Sequence, residues 1–305
     1  MPKIEFLVTP ESGAGLRLDL FLAAQVAGLT RSQAGKAADE GRALVNDVPK
    51  KPAAIIRPGD RVVLITVEAP PAGLEPQAIP LKVLYTDDDL IVIDKPFGLV
   101  IHPGAGVRSG TLVNALLHRF PEVIWVGEGG RPGIVHRLDM ETSGVMVVAR
   151  SPRAYESLKG QFKDRSVKKV YQGLVWGRMP GPEGRLDAPI GRHPRHGQRM
   201  SVRTRRPRAA ETRYTVLREF RQTTLLEVRP LTGRTHQIRV HLAAAGHPLV
   251  GDTRYGRTRG GRHIPRLFLH ACRLSFAHPA TGEPLEFISP LPPELEAVLR
   301  AEQEP

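Results

Sequence analysis

Apolar residues fall in two rhythms along this 305-residue chain. Near the start, Leu18, Phe21 and Leu22 recur at helical spacing, and Thr30 is placed to cap a second helix starting at Arg31. The rhythm then shortens. Ala43 to Asp47 reads as a strand running into a turn, and Pro58-Gly59-Asp60 turns the chain into a strand from Arg61 to Thr66. Residues 16–66 thus read as a small module of two helices and strands, within a unit bounded at 1–68. A Pro-rich linker follows at 69–80.

From residue 81 to 305 the pattern predicts one larger, strand-rich domain. Leu81–Tyr85 and Leu90–Asp94 flank the acidic turn Asp87-Asp88-Asp89 as a hairpin. Thr111–Phe120 is a short helix. An apolar strand runs from Val145 to Ala149. Ser151-Pro152 reads as a helix start, an N-cap followed by proline at the first helical position, with Tyr155, Leu158 and Phe162 on its apolar face. Lys169–Trp176, Thr212–Glu219 and Thr224–Val228 alternate as strands. Thr235–Ala245 reads as a helix closed by Gly246, and Phe268–Phe276 with Leu285–Ile288 as a last hairpin. Strands joined directly to strands predict an α+β fold with a mixed or antiparallel sheet.

Charge alters this picture more than bulk composition does. Hydrophobic content of 41% and charged content of 25% are ordinary for a globular protein. The single cysteine excludes an internal disulfide and fits a reducing compartment; no apolar run reaches membrane-spanning length and no signal peptide is evident, so a cytoplasmic protein is expected. Net charge is +13, and residues 190–273 hold 19 arginines, no lysine and four acids, so the rest of the chain is slightly acidic. Within it, 192–208 carries seven arginines and no acid, including Arg192, Arg195, Arg199, Arg203, Arg205 and Arg206. Guanidinium forks bind phosphate in bidentate fashion and stack on bases, so a nucleic acid is the expected partner. A solvated surface in an arginine-rich composition accounts for the same residues.

Three stretches carry candidate chemistry. In Gly133–Gly144, Asp139 lies beside Arg137 in a turn entering an apolar strand, a placement that suits a reacting carboxylate and equally an Asx-turn acid. In Leu231–Leu242, helical spacing puts His236 and Arg239 on one face; an arginine there can hold a carboxylate ionised, or belong to a basic surface helix. In Val167–Val175, Tyr171 sits mid-strand, as plain core or as a platform beneath a base. Walker, dinucleotide, nucleophile-elbow and HExxH patterns are missing, so neither cofactor nor metal is expected.

Taken together, and with Ile91–Pro96, Val100–Gly106, Asn114–His118, Pro189–Pro194 and Gly246–Asp252, these stretches resemble the RluA-type pseudouridine synthases over residues 80–290. The N-terminal unit resembles the S-four-like RNA-binding module through Arg17-Leu18-Asp19, Thr30-Arg31-Ser32, Leu44-Val45-Asn46 and Pro58-Gly59-Asp60, with Asp47 where a glycine usually follows the asparagine. The resemblance implies a mostly antiparallel central sheet and isomerisation of uridine to pseudouridine in RNA. It implies Asp139 as catalytic carboxylate, Tyr171 under the flipped base, Arg239 paired to that carboxylate and Arg137 displacing the base. Arg31 and the arginines of 192–208 would bind RNA. The N-terminal module points to large-subunit ribosomal RNA, and a monomer is expected. Other readings remain. Transfer RNA or another ribosomal site changes only the target. A non-catalytic assembly factor needs only the arginines. A glycosidase-like hydrolase needs a second carboxylate, for which Glu141 is adjacent.

Overall fold

The computed structural model describes residues 3–26, 29–65, 74–104, 106–127, 131–197, 199–256, 264 and 266–303. The chain forms two compact units. One comprises residues up to Ile79 with His102–Ser109 and Val113–Gly133; the other comprises Pro80–Ile101, Gly110–Leu112 and the residues from Ile134 onward. Part of the expected linker, and Thr66 at the end of the expected strand, lie outside the described residues.

In the first unit, β1 (Lys3–Leu7), β2 (Ala43–Val45), β3 (Val48–Pro49) and β4 (Arg61–Ile65) make an antiparallel sheet in the order β1-β4-β2-β3. Helices α1 (Leu18–Gln25) and α2 (Arg31–Asp39) pack together. Thr30 closes a capping box with Gln33 at the start of α2. The small Ala34, Ala37 and Ala38 are all buried, so α2 packs by close approach rather than by large side chains. The β2–β3 turn holds Asn46 and Asp47 both at positive φ, 51° and 64°, the conformation a two-residue hairpin turn needs. The asparagine side chain offsets part of that strain by accepting from Arg61 N–H and donating to Asp60. Helix α3 (Leu112–Arg119) begins one residue inside the expected span.

The second unit is built on a nine-stranded sheet. Strands β5 (Lys82–Thr86), β6 (Leu90–Lys95), β7 (Ser143–Ala149), β8 (Lys168–Trp176), β9 (Glu183–Leu186), β12 (Thr212–Glu219), β13 (Thr223–Pro230), β14 (Leu269–Ala277) and β15 (Pro284–Ile288) run in the order β5-β6-β7-β14-β8-β13-β12-β9, with β15 also on β14. The short pair β10 (Gly191–Arg192) and β11 (Met200–Ser201) forms a separate hairpin. Among the described residues only β7 with β14 is parallel, so the sheet is mixed and mostly antiparallel, as expected. Every residue of β7 is buried, which explains its unbroken apolar run. Helix α4 (Pro152–Lys163) packs on β7 and starts at Ser151, whose side chain accepts from Ala154 N–H at 3.1 Å. Helix α6 (Pro293–Gln303) inserts Leu295 and Val298 against Leu174, Trp176 and Phe268.

Helix α5 (Gln237–Ala244) differs from expectation at its start. His236 takes the left-handed conformation, φ 54°, and stands outside the helix, so it does not share a helical face with Arg239. Gln237 sets this start: its amide bonds Thr232, Arg234 N–H, Thr212 and the Glu211 carbonyl. Six consecutive residues, Gln237 to Leu242, are buried, so α5 is no basic surface helix.

Candidate active site

The register of β6 and β7 puts Lys95 opposite Gly144, at the strand end where the preceding loop delivers Asp139. That loop turns at Asp139–Thr142, closed by Thr142 N–H donating to the Asp139 carbonyl at 3.0 Å. Gly144, with φ 119°, sits so close to β14 that an added Cβ would lie 2.2 Å from the Ala271 carbonyl oxygen. Only glycine fits there, and the turn is held at a fixed depth against the sheet.

The Asp139 carboxylate is half-buried and has no hydrogen bond or ion pair among the described residues. It is neither an Asx-turn acid nor paired with Arg137, which is exposed and has no partner among the described residues. Its field reaches Lys95, Tyr171 and His236.

Lys95 is fully buried, and its ammonium donates to the carbonyls of Pro96 at 2.9 Å, Leu99 at 3.0 Å and Met140 at 3.3 Å. Burial pushes its pKa down to about 7, against the opposing pull of Asp139. Tyr171 stands on β8 opposite Val228, buried, with no protein partner for its hydroxyl among the described residues. Burial first, then Asp139, raises that phenol above its ordinary range. His236 bonds the Tyr255 hydroxyl through Nδ1 at 2.7 Å; burial lowers its pKa and Asp139 opposes this.

Arg239 does not pair with Asp139. Its guanidinium is 1% exposed and spends Nε and Nη2 on the two oxygens of Asp252, at 2.9 and 2.8 Å, and Nη1 on Glu141 at 2.5 Å. The physical reason is valence: both edges of the fork face those two acids, and Asp252 is itself fixed by the Arg254 and Tyr255 amides. Burial would raise the Asp252 carboxyl, but Arg239 overcomes it and holds the group below its usual range. Of the three acids in this region, Glu141 and Asp252 are paired with Arg239, and Asp139 has no partner among the described residues.

Arg192, Arg195, Arg199, Arg203, Arg205 and Arg206 are all exposed on and around the β10–β11 hairpin, and none forms an ion pair among the described residues. The hairpin is tied to the site: Met200 N–H donates to the Tyr255 hydroxyl at 2.9 Å, and Met200 and Tyr255 pack on Val240 of α5. Arg31 in the first unit is also exposed, and pairs with Asp19 at 3.1 Å.

Residues 89–244 match the family described as RNA pseudouridylate synthase, and residues 16–62 match the S4 domain. The chain belongs to the RNA pseudouridylate synthase family. It is an RNA pseudouridine synthase carrying an N-terminal S4 domain. It is 43% identical, over 97% of its length and 92% of the relative's, to a protein of Xanthomonas campestris pv. campestris named ribosomal large subunit pseudouridine synthase D. It is 46% identical, over 98% of its length and 93% of the relative's, to an uncharacterized RNA pseudouridine synthase of Chloroflexus aurantiacus. Among solved structures, human RNA pseudouridylate synthase domain containing 1 matches with a TM-score of 0.59 and 31% identity, over 72% of this chain and 88% of that one.

Sequence reasoning placed no role on Lys95, Asp252 or Tyr255. Lys95 left one signal, a lone lysine closing an apolar strand, since a charge in that position must be paired or exposed.

Proposed function

We propose that this synthase isomerises uridines of large-subunit ribosomal RNA, with Asp139 as the catalytic carboxylate acting on a flipped base. The observation that carries this reading is that Asp139 has no partner among the described residues, whereas Arg239 engages the two other acids, Glu141 and Asp252. No described residue engages the Asp139 carboxylate, which leaves that group available to the sugar. The reaction breaks the C1′–N1 bond, turns the base and joins C1′ to C5; the C5 proton is then lost, with no change of redox state. Asp139 serves either as nucleophile at C1′ or as base toward the 2′ proton, and both roles need its anion.

Tyr171, whose hydroxyl has no partner among the described residues, lies beneath the extruded base, and the exposed Arg137 fills the vacated stack. Arg239 works through its partners as a positioning residue: it fixes Glu141, two residues from Asp139. This bond also argues against a hydrolase that would use Glu141 as a second acid, because Arg239 already occupies it. Arg192, Arg195, Arg199, Arg203, Arg205 and Arg206 hold phosphates, as does Arg31 in the S4 domain. The ribosomal target rests on the names carried by relatives of about the same length and on that domain.

The test is pseudouridine mapping on large-subunit ribosomal RNA incubated with the purified protein, with Asp139→Asn and a transfer RNA pool in parallel. Signal on ribosomal RNA that vanishes in Asp139→Asn is the expected result. Signal on transfer RNA alone overturns the target, and a fully active Asp139→Asn overturns the catalytic assignment.

A further inference from the structure

The two loops that frame Asp139 each expose one large apolar side chain: Phe97 at 41% and Met140 at 50%. Phe97 is the one aromatic among the strongly exposed large hydrophobic residues of the described chain. Its loop is joined to the Asp139 turn. Gly98 N–H donates to the Met140 carbonyl at 2.9 Å, and the Lys95 ammonium ties Pro96, Leu99 and Met140 together.

Phe97 is also held from behind. The Arg266 guanidinium lies 4.5 Å from its ring centroid. Arg266 is only 6% exposed and is fixed by Glu294 at 2.8 Å and by the Ser143 hydroxyl at 2.7 Å. The cation therefore cannot swing away, and the ring is pinned with no ring partner among the described residues. A rigid aromatic backed by a cation and open to solvent, continuous with a catalytic turn, has the form of a base-stacking platform. Arg137, exposed on the Asp139 loop, supplies the positive charge that a polyanion carrying such a base requires.

We infer that Phe97, backed by Arg266, forms a stacking subsite for an unpaired nucleobase adjacent to the target uridine. The inference rests on the reading of Asp139 as the reacting carboxylate. Tyr171 takes the target base itself; Phe97 takes a neighbour and so contributes to the choice of site. Stacking is tolerant of base identity, so the subsite selects for an unstacked neighbour more than for its sequence.

The experiment uses the full chain and a ribosomal RNA fragment spanning a mapped target, with 2-aminopurine placed on its 5′ or 3′ side. Native protein is expected to quench the probe at one of the two positions. Phe97→Leu keeps bulk and apolarity but removes the aromatic face; it should abolish that quenching and raise KM about tenfold, with a much smaller change in kcat. Phe97→Trp should restore KM, and its indole should be quenched by unlabelled RNA. A merely structural role would be satisfied by leucine and would leave KM near native. If Phe97→Leu does not fold, the folded Phe97→Trp protein decides: no quenching of its added indole at saturating RNA overturns the subsite. Normal turnover with unchanged KM in Phe97→Leu overturns the subsite alone. No turnover by the native protein removes the Asp139 reading and the subsite together.

Discussion

Arg239 and Asp252 form a two-bond pair out of contact with solvent, their side chains 1% and 0% exposed. Removing one partner leaves a buried charge short of compensation, a loss of about 3–5 kcal/mol in such settings. Arg239 keeps Glu141, so Asp252→Asn should fall near the lower end, about 3 kcal/mol, read as a shifted urea midpoint at unchanged slope. Activity should fall as well, because the same carboxylate holds the Tyr255 and Arg254 amides beside His236.

Lys95 joins the Asp139 turn to the loop that follows β6 through three carbonyls. Lys95→Met retains most of the buried volume but strips those acceptors of their donor and removes the ammonium on which Asp139 acts. A displacement of about 1 Å at a reacting group costs roughly 10²-fold in rate. We expect kcat to drop by about that factor, with RNA affinity in a filter-binding assay changed far less.

Local chemistry was legible in the sequence; long-range partnership was not. Ser151-Pro152 starts α4 because its cap acts within four residues, and the Asp87 turn forms because that carboxylate caps its own Asp89 and Leu90 amides. The antiparallel character of the sheet followed from strands joined without helices. By contrast, nothing local reveals that Arg239 prefers Asp252 and Glu141 over Asp139, since all three acids lie within reach of a folded chain and only geometry chooses. His236 departs from the helix because Gln237, anchored on Thr232 and Thr212, fixes the first turn one residue later. Lys95 showed in the sequence only as a lone lysine closing an apolar strand, because its partners are main-chain carbonyls, which carry no residue signature.

His136 gives stability a pH dependence of known sign. Its Nε2 accepts from Val147 N–H at 3.0 Å, its ring stacks on Phe162, and burial with the nearby Lys169 lowers its pKa to about 3. In the unfolded chain the value is about 6.5. Between these limits the unfolded state binds more protons, so stability is intact above about pH 6.5 and falls as pH drops toward 3. His136→Gln keeps an acceptor but cannot titrate. Going from pH 7.5 to 5.0 should cost the native protein about 2 kcal/mol more than the variant in denaturant titrations. Equal losses would remove His136 as the source.

The arginines around β10–β11 make the sharpest prediction about binding. Six of them, Arg192, Arg195, Arg199, Arg203, Arg205 and Arg206, are exposed and lack acidic partners among the described residues, so their charge is available to a polyanion. Each phosphate contact releases condensed counterions, and the slope of log K against log salt records the number released, about 0.7 per contact for single strands and 0.9 for duplex. Replacing Arg195, Arg199, Arg205 and Arg206 together by glutamine should flatten that slope by about 3 and weaken binding to unrelated RNA sequences alike. The fold should hold, since these side chains are exposed and surface changes of this kind rarely exceed about 0.5 kcal/mol each. Coupling to catalysis should be indirect: the hairpin reaches the site through Met200 and Tyr255, so kcat at saturating RNA should change less than KM. An unaltered salt slope in the folded quadruple variant would place the phosphate contacts elsewhere on the molecule.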